Sequence, residues 1–131
     1  MIGIVVVSHS AKVAEGVKEM AEQMSQGRVA IAAAGGVDDE TLGTNAERIF
    51  AALQAAYSPD GVLVLMDLGS AVMSAQMAIE MMDADQQEKI QMTDAPLVEG
   101  AIVAAVEASL GRGLEEVKKA AEAASTMRKI L

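Results

Sequence analysis

The stretch Ile2-Gly3-Ile4-Val5-Val6-Val7-Ser8-His9-Ser10 decides the fold. Its first six residues are all Ile, Val or Gly. No polar side chain interrupts them, which is the pattern of a strand buried on both faces, as in parallel sheets covered by helices. The run stops at Ser8-His9-Ser10, and His9 is the only histidine in the chain. A parallel strand in an open α/β sheet delivers its C-terminal end to the binding crevice. The one imidazole is therefore placed where chemistry is expected.

Working outward, a helix is expected from about Ser10, with Val13, Val17, Met20, Ala21 and Met24 as its apolar face and Gly27 as its end. A second strand is expected at about Val29–Ala34, followed by Gly35-Gly36 and an acidic loop over Val37–Gly43. Thr44-Asn45-Ala46-Glu47 has the Thr-x-x-Glu form of a capping box, and Ile49, Phe50, Leu53 and Ala56 give the helix after it an apolar stripe. Ser58-Pro59-Asp60-Gly61 is turn chemistry before a third apolar strand, Val62–Met66. That strand halts at Asp67-Leu68-Gly69-Ser70, and a helix is expected over Ser70–Met82. After Asp83-Ala84-Asp85 comes a weaker strand, about Lys89–Met92. Pro96 suits the first turn of a further helix, with Leu97, Ala101, Ala104, Ala105 and Ala108 facing the sheet and Gly111 and Gly113 at its end. A last helix, about Leu114–Met127, places Leu114, Val117, Ala121 and Ala124 on one side.

This alternation predicts an α/β three-layer sandwich with a mostly parallel four-stranded sheet in the order 2-1-3-4. The 131 residues suit one domain, 1–131, large enough to bury a core without staples. In that strand order the crevice opens between strands one and three, beside His9 and Asp67.

Composition excludes several classes. With no cysteine there is no disulfide, thiolate chemistry or cysteine-ligated metal, which fits a cytoplasmic protein. The short N-terminal apolar run lacks a basic flank, and no stretch approaches the roughly 18 apolar residues of a membrane span. A formal charge of −9, with no Trp, one Phe and one Tyr, argues against nucleic acid. A Walker loop G-x-x-x-x-G-K-[ST], a dinucleotide G-x-G-x-x-G and a G-x-S-x-G elbow are all absent. One histidine cannot build a His-rich metal site.

Three loops meet at the expected crevice. A neutral imidazole such as His9 is a nucleophile towards phosphorus or acyl carbon. A carboxylate on its other nitrogen, for which Asp67 is the candidate, fixes the tautomer and stabilises the charge that develops. Helix N-termini near Ser10 and Ser70 offer N–H groups to an anion, and Gly35, Gly36 and Gly69 allow close backbone approach. Each feature also has a plain reading. His9 could donate to a carbonyl, Asp67 could cap a helix, and Gly35-Gly36 could be only a turn. Their convergence on one sheet edge favours a functional crevice.

Four stretches carry a family resemblance: Gly3–Ser10, Gly35-Gly36 with Gly43-Thr44, Met66-Asp67-Leu68-Gly69-Ser70-Ala71, and Ala95-Pro96-Leu97-Val98-Glu99-Gly100-Ala101. With these the chain resembles the mannose-type IIA domains of the bacterial phosphoenolpyruvate-dependent sugar phosphotransferase system. More narrowly, it is similar to the phosphoryl-donor subunits of phosphotransferase-dependent dihydroxyacetone kinases. The resemblance implies that His9 is phosphorylated by the histidine phosphocarrier protein, acting in trans, with Asp67 interacting with it. The phosphoryl group then passes to ADP on a DhaL subunit and on to dihydroxyacetone on DhaK. ADP and Mg²⁺ then belong to the partner, and this chain binds no cofactor or metal of its own. A homodimer is implied as well. Asp38-Asp39-Glu40 departs from the family's acidic-glycine loop, which leaves the loop shape open. Two alternatives stand beside this reading: a mannose-type IIA component of a sugar transporter, and a non-catalytic module that binds an anion or a protein.

Met73, Met77 and Met81 form an i, i+4, i+8 row distinct from Val72, Ala75, Ile79 and Met82, which are expected to face the sheet. The row reads first as core or dimer interface, and second as an adaptable surface for partner proteins.

Overall fold

The apolar run at the N-terminus forms β1, Gly3–Ser8, and every residue of it is buried. Side chains alternate across a strand, so Ile4 and Val6 enter one core while Val5 and Val7 enter the other. A strand without a solvent face needs helices on both sides, and that is the architecture of the computed structural model, which describes residues 1–131.

β1 lies in the middle of the sheet. β2, Ile31–Gly35, pairs with it on one side and β3, Val62–Met66, on the other; β4, Ile90–Met92, closes the far edge. All three pairings are parallel, and the order is β2-β1-β3-β4. Val5 sits opposite Ala32 and Val64, and Val7 opposite Ala34 and Met66. The strands therefore end together, and β1 and β3 deliver His9 and Asp67 to the same edge. The three-layer α/β sandwich is the expected one, with a sheet that is parallel throughout.

One face carries α1 (Ala11–Ser25), α5 (Leu97–Ser109) and α6 (Leu114–Ala123), packed over Ile4, Val6, Leu63 and Leu65. The other carries α2 (Ala46–Ala56) and α3 (Ala71–Glu80), packed over Val5, Val7, Val62 and Val64. Each Val, Ile or Leu so buried contributes roughly 1.5–3 kcal/mol relative to exposure. Leu97, Ala101, Ala104, Ala105 and Ala108 pack on the first core as the spacing predicts. So do Leu114, Val117 and Ala121, and Ala124 is buried too. No helix is long and apolar enough to cross a membrane.

Several local expectations are corrected. The inner face of α1 is Ala14, Val17, Ala21 and Ser25, while Val13, Met20 and Met24 are exposed. Val17 and Ala21 are shared by the two faces, and the true one is centred about 60° round the helix from the expected one. Small residues win it because α1 packs closely against α5, itself lined by Gly100 and alanines. The left-handed cap of α1 is Gln26 (φ 57°), with Gly27 one position further on, donating to the Glu22 carbonyl at 3.0 Å. α2 is capped by Asn45, whose side chain accepts from the N–H groups of Glu47 and Arg48; the predicted cap, Thr44, bonds Ser74 instead. β1 and β2 start later than expected, and α3 and α6 end earlier, α6 in a short 3₁₀ turn over Ala124–Thr126. A short helix α4, Ala84–Gln87, replaces the expected bare turn, and Pro96 precedes α5 as its cap. Met73, Met77 and Met81 point outward, which removes the core reading of that row.

Candidate phosphoryl-transfer site

The site is built on the ends of β1 and β3. Asp67 follows β3 directly, and its carboxylate is the hub. One oxygen, Oδ2, accepts from the Ser8 hydroxyl at 2.8 Å and from the His9 backbone N–H at 2.9 Å. The other, Oδ1, accepts from the Leu68 N–H at 2.7 Å and lies 2.9 Å from His9 Nδ1. Burial pushes the Asp67 carboxyl up, but the bonds from His9, Ser8 and Leu68 together outweigh it and hold the group below its ordinary value. The carboxylate is thus ionised and acceptor-only, so Nδ1 carries the ring hydrogen.

That assignment leaves Nε2 with the lone pair. It faces the Ser70 hydroxyl at 2.7 Å, which donates to it. Ser70 precedes α3 with helical backbone angles and makes no side-chain capping bond, so its hydroxyl is free for the imidazole. The Gly69 and Ser70 N–H groups at the same helix start make no protein hydrogen bond. His9 is partly open, its side chain 26% exposed, so the ring is held from within and reachable from outside.

The backbone around His9 is fixed from the β2 side. Gly36 N–H donates to the Ser8 carbonyl at 3.1 Å, and Gly43 N–H to the His9 carbonyl at 2.8 Å. Gly36 holds φ +74°, and a Cβ there would lie 2.4 Å from the Asp38 carbonyl oxygen. At Gly35 a Cβ would lie 2.3 Å from the Ser10 carbonyl oxygen and 2.8 Å from the Ala14 Cβ. Hence β2 approaches the start of α1 only because residue 35 has no side chain. In the acidic loop, the Asp38 carboxylate accepts from the N–H groups of Glu40 and Thr41, and Arg48 bridges Asp39 and the Gly35 carbonyl. Asp38 itself closes the turn.

The structure thus brings His9, Asp67 and Ser70 into direct contact, with Ser10 as the cap of α1 beside them. Gly35 and Gly36 support the His9 loop from behind through packing and the Ser8 bond. Around Gly69 there is open space. Sequence reasoning did not single out Ser8, whose hydroxyl also accepts from Ser10 N–H at 3.0 Å, nor Gly43, nor the Thr44–Ser74 pair at 2.6 Å that ties the loop to α3. Ser8 and Gly43-Thr44 stood in family-matched stretches, and that was the signal available. No cluster of three or more His, Cys, Asp or Glu side chains suited to a metal ion is present.

Comparison with known proteins bears on this arrangement. The family model EIIA-man, described as a PTS system fructose IIA component, matches residues 3–118. A Listeria innocua protein, named as phosphoryl donor subunit DhaM of a PEP-dependent dihydroxyacetone kinase, is 41% identical over 117 residues, covering 89% of this chain and 94% of that one. The chain belongs to the EIIA-man family and, within it, to the DhaM subunits. A DhaM from Providencia stuartii is 41% identical over 127 residues; the chain spans only 27% of that protein's length. A crystal structure of a protein of unknown function superposes with a TM-score of 0.80 at 36% identity, covering 93% of both chains. Of the stretches that carried the sequence resemblance, three hold His9, Gly35-Gly36 and Asp67–Ser70, and Ala95, Pro96 and Leu97 of the fourth line a cavity with Asp67.

Proposed function

We propose that this chain is a phosphoryl-carrier subunit of a phosphoenolpyruvate-dependent dihydroxyacetone kinase, working through a phosphohistidine at His9. The observation that carries the reading is the imidazole anchored at Nδ1 by Asp67, with Nε2 facing the Ser70 hydroxyl on the exposed side of the ring. Membership of the DhaM subunits supports the metabolic assignment.

Nε2 attacks the phosphorus of a phosphohistidine on the histidine phosphocarrier protein. A new N–P bond forms as the donor's N–P bond breaks, its electron pair returning to the donor ring. The His9 ring becomes cationic, and the Asp67 carboxylate at Nδ1 stabilises that charge. The Ser70 hydroxyl turns from Nε2 to a phosphoryl oxygen, and the unpartnered Gly69 and Ser70 N–H groups receive the others at the start of α3. In the return step, ADP on DhaL takes the phosphoryl group, the N–P pair reverts to Nε2, and DhaK-bound dihydroxyacetone is phosphorylated in turn. Such transfers need positioning and charge stabilisation more than acid–base machinery, which a shallow edge with one imidazole supplies. The nucleotide and Mg²⁺ belong to DhaL, the protein works in the cytoplasm, and it pairs as a homodimer.

Intact mass after incubation with phosphoenolpyruvate, enzyme I and the phosphocarrier tests the reading. One acid-labile phosphate is expected, absent in His9→Ala; an unmodified wild type refutes the relay. Adding DhaL, DhaK and dihydroxyacetone should discharge the phosphate to the triose. Retention of phosphate there, with discharge to a sugar permease, would favour the transporter alternative that the family model's description admits.

A further inference from the structure

α3 carries a ridge of Met73, Met77 and Met81, which are 70%, 58% and 47% exposed. It extends directly from the site: Ser70 bonds His9 Nε2, Leu68 is 61% exposed, and Met73 lies on the next turn. At 1.5 Å per residue the ridge runs about 12 Å from Met73 to Met81, well inside the footprint of an ordinary protein interface of roughly 800 Å² per partner. Met is enriched at interfaces and adapts to a partner's shape.

The charge around the ridge is mostly negative. From Ile49 to Glu88 the chain has no Lys or Arg. Glu80, Asp83 and Asp85 are exposed at the far end of α3, and Asp38, Asp39 and Glu40 are exposed in the loop near His9. Arg48 is bound to Asp39 and the Gly35 carbonyl, and Lys12 lines the same cleft as Asp39 and Glu40. A second copy of this acidic chain would bring like charges together across a two-fold contact. A phosphoryl donor, by contrast, must bring its reacting atom to within roughly 3–3.5 Å of Nε2 and so must cover the ground beside Ser70.

We propose that the Met73–Met77–Met81 ridge, with Leu68, is the docking surface for the protein that phosphorylates His9, and that this partner presents an apolar patch edged by Lys or Arg. The proposal rests on the relay reading above.

The test compares His9 phosphorylation by the phosphocarrier protein with phosphorylation by phosphoramidate, a small donor that needs no docking. Met77→Lys should lower kcat/KM with the protein donor by about thirtyfold and Met77→Glu by about tenfold, both through KM, since a charge replaces an apolar anchor and Lys also opposes the basic edge. Phosphoramidate labelling should stay within about twofold of wild type, as Met77 lies about two turns along α3 from Ser70. Should both charged variants lose phosphoramidate labelling through misfolding, Met77→Ala replaces them, with an expected loss of about fivefold. Protein-donor rates within about threefold of wild type for every folded variant overturn the docking surface, and a larger loss for Glu than for Lys overturns the basic edge. A wild-type dimer that the variants dissociate, with donor rates intact, assigns the ridge to a second copy and overturns it too. A wild type labelled by phosphoramidate and not by the phosphocarrier refutes the relay reading itself.

Discussion

Replacing Asp67 with Asn isolates what its charge does, because the two side chains have nearly the same shape. Each carboxylate oxygen receives one backbone N–H, His9 at 2.9 Å on Oδ2 and Leu68 at 2.7 Å on Oδ1. An amide has one acceptor oxygen and one NH₂, so in either orientation a backbone N–H faces a donor. If the oxygen sits on the Oδ1 side, the Nδ1–H tautomer survives, but the His9 N–H and the Ser8 hydroxyl lose their acceptor. If it sits on the Oδ2 side, NH₂ faces Nδ1, and the ring hydrogen must move to Nε2, removing the nucleophilic lone pair. Loss of a charge-assisted bond together with an unsatisfied N–H costs about 2–5 kcal/mol of stability. Loss of about 3 kcal/mol of charge stabilisation in the transition state lowers the rate roughly a hundredfold. Rapid-quench phosphorylation of Asp67→Asn by the phosphocarrier, alongside urea unfolding, measures both quantities. A variant that is phosphorylated within about threefold of wild type, with unchanged stability, refutes the assignment of Asp67 as the group that sets the tautomer and balances the charge.

Other perturbations probe the same edge. The Asp67 carboxyl is held below its ordinary 3.8 in the folded chain. Its contribution to stability is therefore fully present above that value and lost as pH falls through the lower folded value. Urea midpoints from about pH 6 down to pH 2 should fall more steeply for wild type than for Asp67→Asn. Gly35→Ala drives a Cβ to 2.3 Å from the Ser10 carbonyl oxygen; with backbone as the obstacle, a loss of about 2–3 kcal/mol is expected by thermal unfolding. Ser70→Ala leaves the Nδ1–Asp67 bond in place, and should shorten the lifetime of the phosphorylated chain by about three- to tenfold, the worth of one ordinary solvent-exposed hydrogen bond, read from the decay of the phosphorylated mass.

The site's components were legible to different degrees. His9 stands out because it is the one imidazole at the end of an uninterrupted apolar strand, and Asp67 because it ends the adjacent strand. Ser70 was singled out for its helix N-terminus, yet what the structure uses first is its hydroxyl. Ser8 was hidden because its burial and its bond to Asp67 depend on a residue 59 positions away. Asn45 took the cap from Thr44 because Thr44 is engaged with Ser74, 30 positions on. No local pattern reports either contact.

By itself the sequence determined the strands, their parallel pairing and the crevice edge, since burial on both faces and helix–strand alternation leave few ways to cover apolar surface. The inner faces of α2, α5 and α6 followed the spacing, and only the tertiary structure decided which face of α1 is buried and that the α3 methionines are not. Val13, Met20 and Met24 lie on the outer face of α1 because Ala14, Val17 and Ala21 allow close packing of α1 and α5, and the Met ridge of α3 faces solvent because Ala71, Ala75 and Ala78 fit the sheet more closely. Only the structure decided the state of the imidazole as well. A ring nitrogen's role is set by the group opposite it, and for His9 that group lies 58 residues away, just past the end of another strand.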